Sequence, residues 1–575
     1  MVRAVLVVSR YRAQPNRLDG YRDVLNRKLA GDNIEPRAPR LARQSGVAAA
    51  LLNPNGAARL AGASIALGTL LDAADDWHVP AAPLPDGSFA LLRVNDAHVE
   101  LVADTSGSRT LWYVLTDQEL IASSSQRAIV MLLGSFQPNR DALPWMLSSG
   151  TLGPTAAWDA RIKRLQPGER VLLDRQRWHL TTTTSALQFI PDDRSPRAVH
   201  LERLHESVVE ACRRWSFDAR RWVLTLSGGA DSRSLLHLFR DRGIGTVTWG
   251  LPHSPQQDGN DAQVARRLAR TLAVPHRFFP IDTPNEGLDA VLERFLAVGE
   301  GRVARISGYV DGFEIWKTLF DEGCQGVIRG DEAFGSVPVS SADAARWTAS
   351  LTTLADYFPA AELARFELPP QPLPAALERR PPETFATWRD RLYQQFRVPT
   401  LLAGLTDLKT AYVEVGNPLL ADSVLSCVRT LPDHLRTEKR LWHELVSRQL
   451  PSLGLAKRVA IPALTDFLAD PRVLDLLLQD LTSEPVASVF SPLLRARCAS
   501  ALRTALREAP VAERRAPGLA RAVPARLRAV VRHWSRPTLE PLVLAFRASM
   551  ATRMHRLLSR DAATPPAGIQ PAVNA

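Results

Sequence analysis

The stretch Leu226–Arg233, LSGGADSR, constrains this chain more than any other. It lies between an apolar run that reads as a strand (Trp222, Val223, Leu224, Leu226) and one that reads as a helix (Leu235, Leu236, Leu238, Phe239). A strand, a glycine-rich turn and a helix N-terminus in that order make an anion cradle, because the loop amides and the positive end of the helix converge on one point. Gly228 and Gly229 leave room for the backbone to approach a phosphate, and Ser227 and Ser232 supply hydroxyls. Asp231 can hold a cation that bridges phosphate oxygens. No Gly-Lys-Ser/Thr follows, so this is not a Walker A loop.

With strand, loop, helix and fixed residues together, the stretch resembles the SGGxDS signature of the PP-loop ATP pyrophosphatases. That resemblance implies cleavage of ATP between the α- and β-phosphates, with ATP and Mg2+ bound at Leu226, Ser227, Gly228, Gly229, Asp231 and Ser232. A second strand, Thr246–Leu251, should lie beside the first and bring Trp249 and Gly250 to the adenine. The helix after it carries Ala265, Leu268, Ala269 and Leu272 on one face, with Asp261 near its start.

Length and composition set the outer bounds. A chain of 575 residues with 45% hydrophobic and 23% charged residues has ample material for a core and the composition of a soluble globular protein. The N-terminal apolar run is too short for a signal peptide, and no stretch reaches the roughly 18 apolar residues of a membrane span, so a cytoplasmic protein without stable membrane insertion is expected. The four cysteines, Cys212, Cys324, Cys427 and Cys498, are scattered and read as buried free thiols. The net charge of +11 comes largely from Arg495, Arg503, Arg507, Arg514, Arg515, Arg521, Arg526, Arg528 and Arg532; Leu and Val recur between them at helical spacing, which favours amphipathic helices over a nucleic-acid surface.

Residues 1–195 read as strand-rich, with short apolar runs between Asp, Gly and Pro turns. Asp86–Val114, Leu120–Val130 and Ile162–Asp174 resemble blocks of the glutamine amidotransferase domain of asparagine synthetases, which implies an αββα N-terminal-nucleophile (Ntn) hydrolase fold. That family uses a cysteine at position two as nucleophile, whereas Val2 stands here; a degenerate domain without glutaminase activity is expected.

From 196 to 560 helices alternate with short apolar strands, as in a parallel α/β sheet. Gly326–Ser336, GVIRGDEAFGS, is similar to the GxGxDExFGG block of asparagine synthetases, which implies Gly330 at the nucleotide and Asp331 as partner of Asp231 on magnesium. Ile328 and Arg329 depart from the family's Glu and Gly. The Pro-rich 341–398 reads as a surface insertion or a substrate lip. Val413–Val446 resembles the ExRxPFLD segment and its following helix, putting Glu414 on the family's Glu, with Gly416 for Arg and Ala421 for Asp. Lys457 falls on or beside the lysine that in these ligases reaches the α-phosphate. Residues 561–575 read as a disordered tail.

Three families share this plan: asparagine synthetases, β-lactam synthetases and lasso-peptide cyclases. The absent nucleophile and the variants at RGDEAFGS and NPLL resemble the last group most. The implied reaction is adenylation of an Asp or Glu side chain in a precursor core peptide, followed by macrolactam closure by its N-terminal amine. Lys457 would act on the phosphates, and Glu414 would orient or deprotonate the amine or else be a buried structural carboxylate. A leader peptidase and a leader-binding protein would be partners, and nucleic acid would not. Rival readings are a β-lactam or asparagine synthetase-like amide ligase, a PP-loop tRNA-modifying enzyme, or a non-catalytic scaffold.

Overall fold

A computed structural model describes residues 3–11, 16–71, 75–282, 287–450, 454–483, 489–512 and 537–566. Val2, Arg514, Arg515, Arg521, Arg526, Arg528, Arg532 and residues 567–575 lie outside the described residues.

The first half of the chain builds two six-stranded antiparallel sheets. One contains β1 (Arg3–Ser9), β2 (Arg40–Gln44), β3 (Val47–Leu52), β8 (Trp112–Leu115), β9 (Glu119–Ser123) and β10 (Lys163–Arg164), in the order β10-β8-β9-β1-β3-β2. The other contains β4 (Arg59–Ala61), β5 (Ser64–Leu70), β6 (Gly87–Val94), β7 (His98–Ala103), β11 (Glu169–Asp174) and β12 (His179–Thr184), in the order β12-β11-β7-β6-β5-β4. Every residue of β1 is buried because both its faces are covered. Ala4, Leu6 and Val8 join Ile65, Leu92, Leu101 and Val171 between the sheets. Val5 and Val7 point the other way, onto α1 (Leu18–Lys28) and α2 (Gln126–Leu133). Trp77 packs on Phe89, Leu91 and Val102 over the outer face of the second sheet.

The second half is wound on a five-stranded parallel sheet of β13 (Trp222–Thr225), β14 (Gly245–Gly250), β15 (His276–Pro280), β16 (Gly326–Ile328) and β17 (Glu414–Gly416). Its order is β15-β14-β13-β16-β17. The chain therefore proceeds from β13 outward to β15, then returns to the opposite side of β13. Such a reversal opens a crevice at the carboxyl ends of the strands, where ligands of open α/β sheets bind. Leu224 and Ile328 bury one face of this sheet, and Val247, Val327 and Val415 the other. The mixed α/β architecture expected from the sequence, antiparallel sheets followed by a parallel one, is present.

Two sequence expectations change. The 341–398 stretch is more than a surface insertion: Ala345, Leu351, Leu377, Trp388, Leu392 and Phe396 form a small core of their own with Trp145. The tail does not begin at 561, because the helix Pro541–Ala562 runs through it. Asp561 is buried and ion-paired with Arg127 at 2.6 Å, so burial and charge order what composition alone reads as loose. All four cysteines are free, and Cys212, Cys324 and Cys498 are buried. Among the described residues no helix is long and apolar enough to cross a membrane.

The two halves meet across buried ion pairs. Arg109 bonds Glu414, and Arg3 lies 3.9 Å from Glu300 and 4.0 Å from Asp407, which Arg302 of the second half also bonds.

Candidate active site

β13 ends in the loop Leu226–Gly229, and α3 (Ala230–Phe239) begins directly after it. The loop is pre-folded by its own side chains. The Ser227 amide donates to Ser232 Oγ at 3.0 Å, the two hydroxyls lie 3.0 Å apart, and the Gly229 amide donates to Ser227 Oγ at 3.2 Å. The Gly228 amide donates to Asp261 Oδ1 at 3.2 Å, so a carboxylate already sits where an amide of this loop can receive an anion. Glycine is required at 228 for space: a Cβ there would come within 2.4 Å of Ala456 Cβ and 3.0 Å of Val264 Cβ. Gly229 caps α3 with extended backbone, φ −80°, so no left-handed geometry is involved.

Gly330 serves the same end from the other side. A Cβ there would lie 2.9 Å from the Ser232 amide nitrogen, so only glycine lets the loop after β16 press against the first turn of α3. As a result Asp231 and Asp331, far apart in sequence, face one cavity of about 250 Å3. Leu226, Ser227, Ser232, Trp249, Asp261 and Arg329 also line it. The segment 454–461 closes the cavity: the Ala456 amide bonds Gly228 O at 3.0 Å, and the Leu251 amide bonds Ala460 O at 2.8 Å. Gly250, at the end of β14, lies beneath Ala460.

The lysine expected at the phosphates lies outside the cavity, and one that the sequence did not single out contacts Asp231. Lys457 is exposed, and its loop is fixed through its backbone amide, 2.8 Å from Gly259 O; its side chain does not line the cavity. Lys439, which like Lys457 does not line the cavity, is the ammonium beside it, 3.2 Å from Asp231 Oδ2 and 2.5 Å from Glu332 Oε1. It gets there through a kink. Glu438 (φ 60°) and Lys439 (φ 53°) are both left-handed, which stops the preceding helix turn and restarts it as Arg440–Gln449. Two successive non-glycine residues in that region carry strain of about 1–3 kcal/mol each, the kind of cost found where a side chain must be aimed. Trp442, one turn on, donates its indole N–H to Asp231 at 2.7 Å.

Glu414 also lies outside the cavity. It is buried on β17, bonded to Arg109, and lines neither this cavity nor the one beside it. Its position on β17 sets it against Arg109 of the first half, the place of a buried structural carboxylate. The Arg109 guanidinium facing it is pushed down to about 10 by desolvation despite neighbouring Asp407 and Asp104.

Electrostatics around the aspartates are finely opposed. Burial pushes the Glu332 carboxyl up to about 7 against the pull of Lys439, with Asp231 adding to the rise. Burial works against Lys439 too, yet Glu332 and Asp231 hold its ammonium above the ordinary lysine range. Burial would raise the Asp331 carboxyl, but the Arg329 guanidinium, bonded to both its oxygens at 3.0 and 3.1 Å, keeps it below the usual carboxylate range. Arg329, which stands where the resembling family has glycine, thus supplies a fixed positive charge at the cavity floor.

Beyond Arg329 the cavity continues into a chamber of about 580 Å3. Trp249, Arg329, Val459 and Ile461 belong to both. Lys409 is buried in the chamber wall, donating to Tyr309 Oη at 2.9 Å and Leu405 O at 2.7 Å. Desolvation, and then the neighbouring Arg329, push its ammonium well below the ordinary lysine range. Nothing in the local sequence marks Lys409, because helix Ala403–Thr410 reads there as an ordinary core helix.

No family model matches the chain. Its sequence is similar to a 7-cyano-7-deazaguanine synthase of Anaeromyxobacter dehalogenans (strain 2CP-C), with 36% identity over 86 residues, 15% of this chain and 36% of that protein. The chain thus spans about a third of the length of the curated relative it matches, and the likeness is a distant one to a PP-loop ATP pyrophosphatase. Among solved structures it is similar to glutamine phosphoribosylpyrophosphate amidotransferase from B. subtilis complexed with ADP and GMP, at 7% identity and a TM-score of 0.22, covering 51% of this chain and 92% of that one. A likeness at so low a TM-score says nothing about function.

Proposed function

We propose that the chain is an ATP-dependent, AMP-forming amide ligase of the lasso-peptide cyclase type. The observation that carries the reading is the continuity of a PP-loop cavity with a larger chamber through the shared wall of Trp249, Arg329, Val459 and Ile461. A nucleotide α-phosphate at Ser227–Ser232 would then face a carboxylate entering from the chamber.

In this mechanism the ring of ATP rests against Trp249 at the end of β14, and its phosphates meet the Gly228 and Gly229 amides, the Ser227 and Ser232 hydroxyls and the N-terminus of α3. Asp231 and Asp331, hard oxygen donors on one cavity, would hold a magnesium ion in exchange for their contacts to Lys439 and Trp442 and to Arg329, and the ion would supply charge to offset the pyrophosphate leaving group. Lys439 and Arg329 contribute fixed positive charge where that charge develops. A substrate carboxylate oxygen attacks the α-phosphorus and pyrophosphate departs, giving the acyl-adenylate. The amine then attacks the acyl carbon; the C–N bond forms, the C–O bond to AMP breaks, and the amine proton passes to water or phosphate. The chamber walls hold amine and anhydride together and limit hydrolysis.

Peptide cyclisation, as opposed to a β-lactam or asparagine synthetase-like ligation, rests on the sequence variants at Ile328–Arg329 and Gly416–Ala421 together with the size of the chamber. Partners on this reading are the precursor peptide, a leader peptidase and a leader-binding protein. The test is ATP–pyrophosphate exchange with the precursor peptide encoded beside the gene. Peptide-dependent exchange, followed by a product lighter by one water, is expected; exchange driven by tRNA, or none with any carboxylate, overturns the reading.

A further inference from the structure

We infer that the chamber binds a second anionic group of the substrate, a carboxylate distinct from the one presented to the nucleotide, and that Arg305 and Arg547 hold it. This rests on the nucleotide reading above and adds to it the charge class of the substrate, a peptide segment carrying at least two carboxylates.

The charged side chains lining the chamber are Arg305, Arg329, Lys409 and Arg547, and no carboxylate lines it among the described residues. They fall into two pairs. Arg329 and Lys409 lie toward the nucleotide cavity, and Arg329 is neutralised by Asp331. Arg305 and Arg547 line the part that the nucleotide cavity does not share. Arg305 is exposed to the chamber and pairs with no carboxylate among the described residues. Arg547 is fixed: its Nη1 donates to Leu147 O at 2.8 Å and Ser148 O at 2.7 Å. Its guanidinium lies over Gly150, where a Cβ would sit 3.0 Å from Nε, and that Nε is buried without a partner among the described residues.

Arg547 is held by the last carbonyls of the helix Ala142–Ser149, yet neither arginine meets a carboxylate among the described residues. Desolvation, with the Arg305 charge adding to it, pushes the Arg547 guanidinium down to about 10, and desolvation with Arg397 lowers Arg305. Uncompensated like charges beside a cavity cost stability unless an anion arrives between them, and a guanidinium fork suits a carboxylate. The paired cations of the neighbouring cleft make a contrast: there Arg294 meets Asp32, Arg127 meets Asp561 and Arg560 meets Glu293.

The test uses the full chain and two probes, glutarate with two carboxylates and butyrate with one, at constant ionic strength and without nucleotide. Binding is read from the fluorescence of Trp249 and Trp316, which line the chamber with ring centroids 5.3 Å apart. Glutarate should bind saturably and more tightly than butyrate, and loss of one charge-assisted contact in Arg305→Gln should weaken it about tenfold. Arg547→Gln should do the same, while Arg560→Gln, in the neighbouring cleft, should change nothing. Glutarate binding that equals butyrate binding, survives Arg305→Gln, or falls equally in Arg560→Gln overturns the inference. ATP·Mg binding to the wild type is measured separately, so failure of the nucleotide reading with an intact Arg305-dependent glutarate signal leaves the subsite standing, and the reverse result removes the subsite alone.

Discussion

Replacing Lys439 by Met removes the ammonium while keeping most of the side-chain volume. Its Nζ lies 3.2 Å from Asp231 and 2.5 Å from Glu332, so the variant leaves the buried Glu332 carboxylate and the half-buried Asp231 carboxylate without their shared cation. Breaking a buried pair costs about 3–5 kcal/mol, and because the Lys439 side chain keeps 23% exposure the lower end applies, about 3 kcal/mol at pH 8. The loss should shrink at pH 6, since Glu332, already raised to about 7, takes up a proton there and relieves the repulsion. On the ligand side, one charge-assisted hydrogen bond to phosphate is worth about 1.5–3 kcal/mol, which weakens ATP·Mg binding roughly ten- to hundredfold. Urea unfolding at the two pH values and titration calorimetry with ATP·Mg measure both. The control is Lys457→Met, whose exposed side chain should leave the affinity unchanged within about twofold. Lys439→Met binding ATP·Mg as the wild type does, with Lys457→Met the defective one, would refute the assignment and restore the lysine expected from sequence.

Asp331→Asn should reduce AMP formation at least about a hundredfold with the circular dichroism spectrum unchanged, because the site loses one of the two carboxylates that would hold magnesium; near-normal turnover removes Asp331 from the site. Gly330→Ala should lower the urea midpoint by the equivalent of about 1–3 kcal/mol and weaken ATP·Mg binding, since its Cβ meets the backbone of Ser232; an unchanged midpoint contradicts the close approach. Burial pushes His555 down to about 4, and burial with Arg266 pushes His276 down to about 4. Between pH 6.5 and 4 the unfolded chain binds protons that the folded one refuses, so stability should fall as pH drops through that window, by about 2 kcal/mol per histidine after allowance for partial solvent contact. His555→Phe, which keeps the ring between Phe136 and Trp158, should flatten that slope, and an unaltered slope speaks against the burial argument.

The PP-loop could be read directly because strand, turn and helix signals are all local: Trp222–Thr225, the two glycines and the apolar period from Leu235 fall within one short stretch. Gly330 and Asp331 were legible for the same reason. Lys439 was not, because LRTEKRLWHELV has the period of a continuous helix and no propensity scale marks Glu438 and Lys439 as left-handed. Glu414 stayed open between two roles because sequence gives the strand and not which neighbour its side chain meets; Arg109 lies across an interface from a distant part of the chain. The chamber is invisible to local reasoning altogether, since Gly150, Arg305, Lys409, Ile461 and Arg547 come from five separate segments.

The buried ion pairs between the halves carry a consequence for how such a chain can evolve. Glu300, Asp407 and Glu414 all belong to the second half, and their neutralising guanidiniums include Arg3 and Arg109 from the first. A descendant that discarded the antiparallel sheets would strand Glu300 and Glu414 without their partners, while Asp407 would keep Arg302, and no single substitution could rescue both. The first half can therefore lose any chemistry it once had and still be kept by selection. It persists as the counter-ion of its neighbour, and an engineered truncation would first have to replace Glu300 and Glu414 with apolar residues.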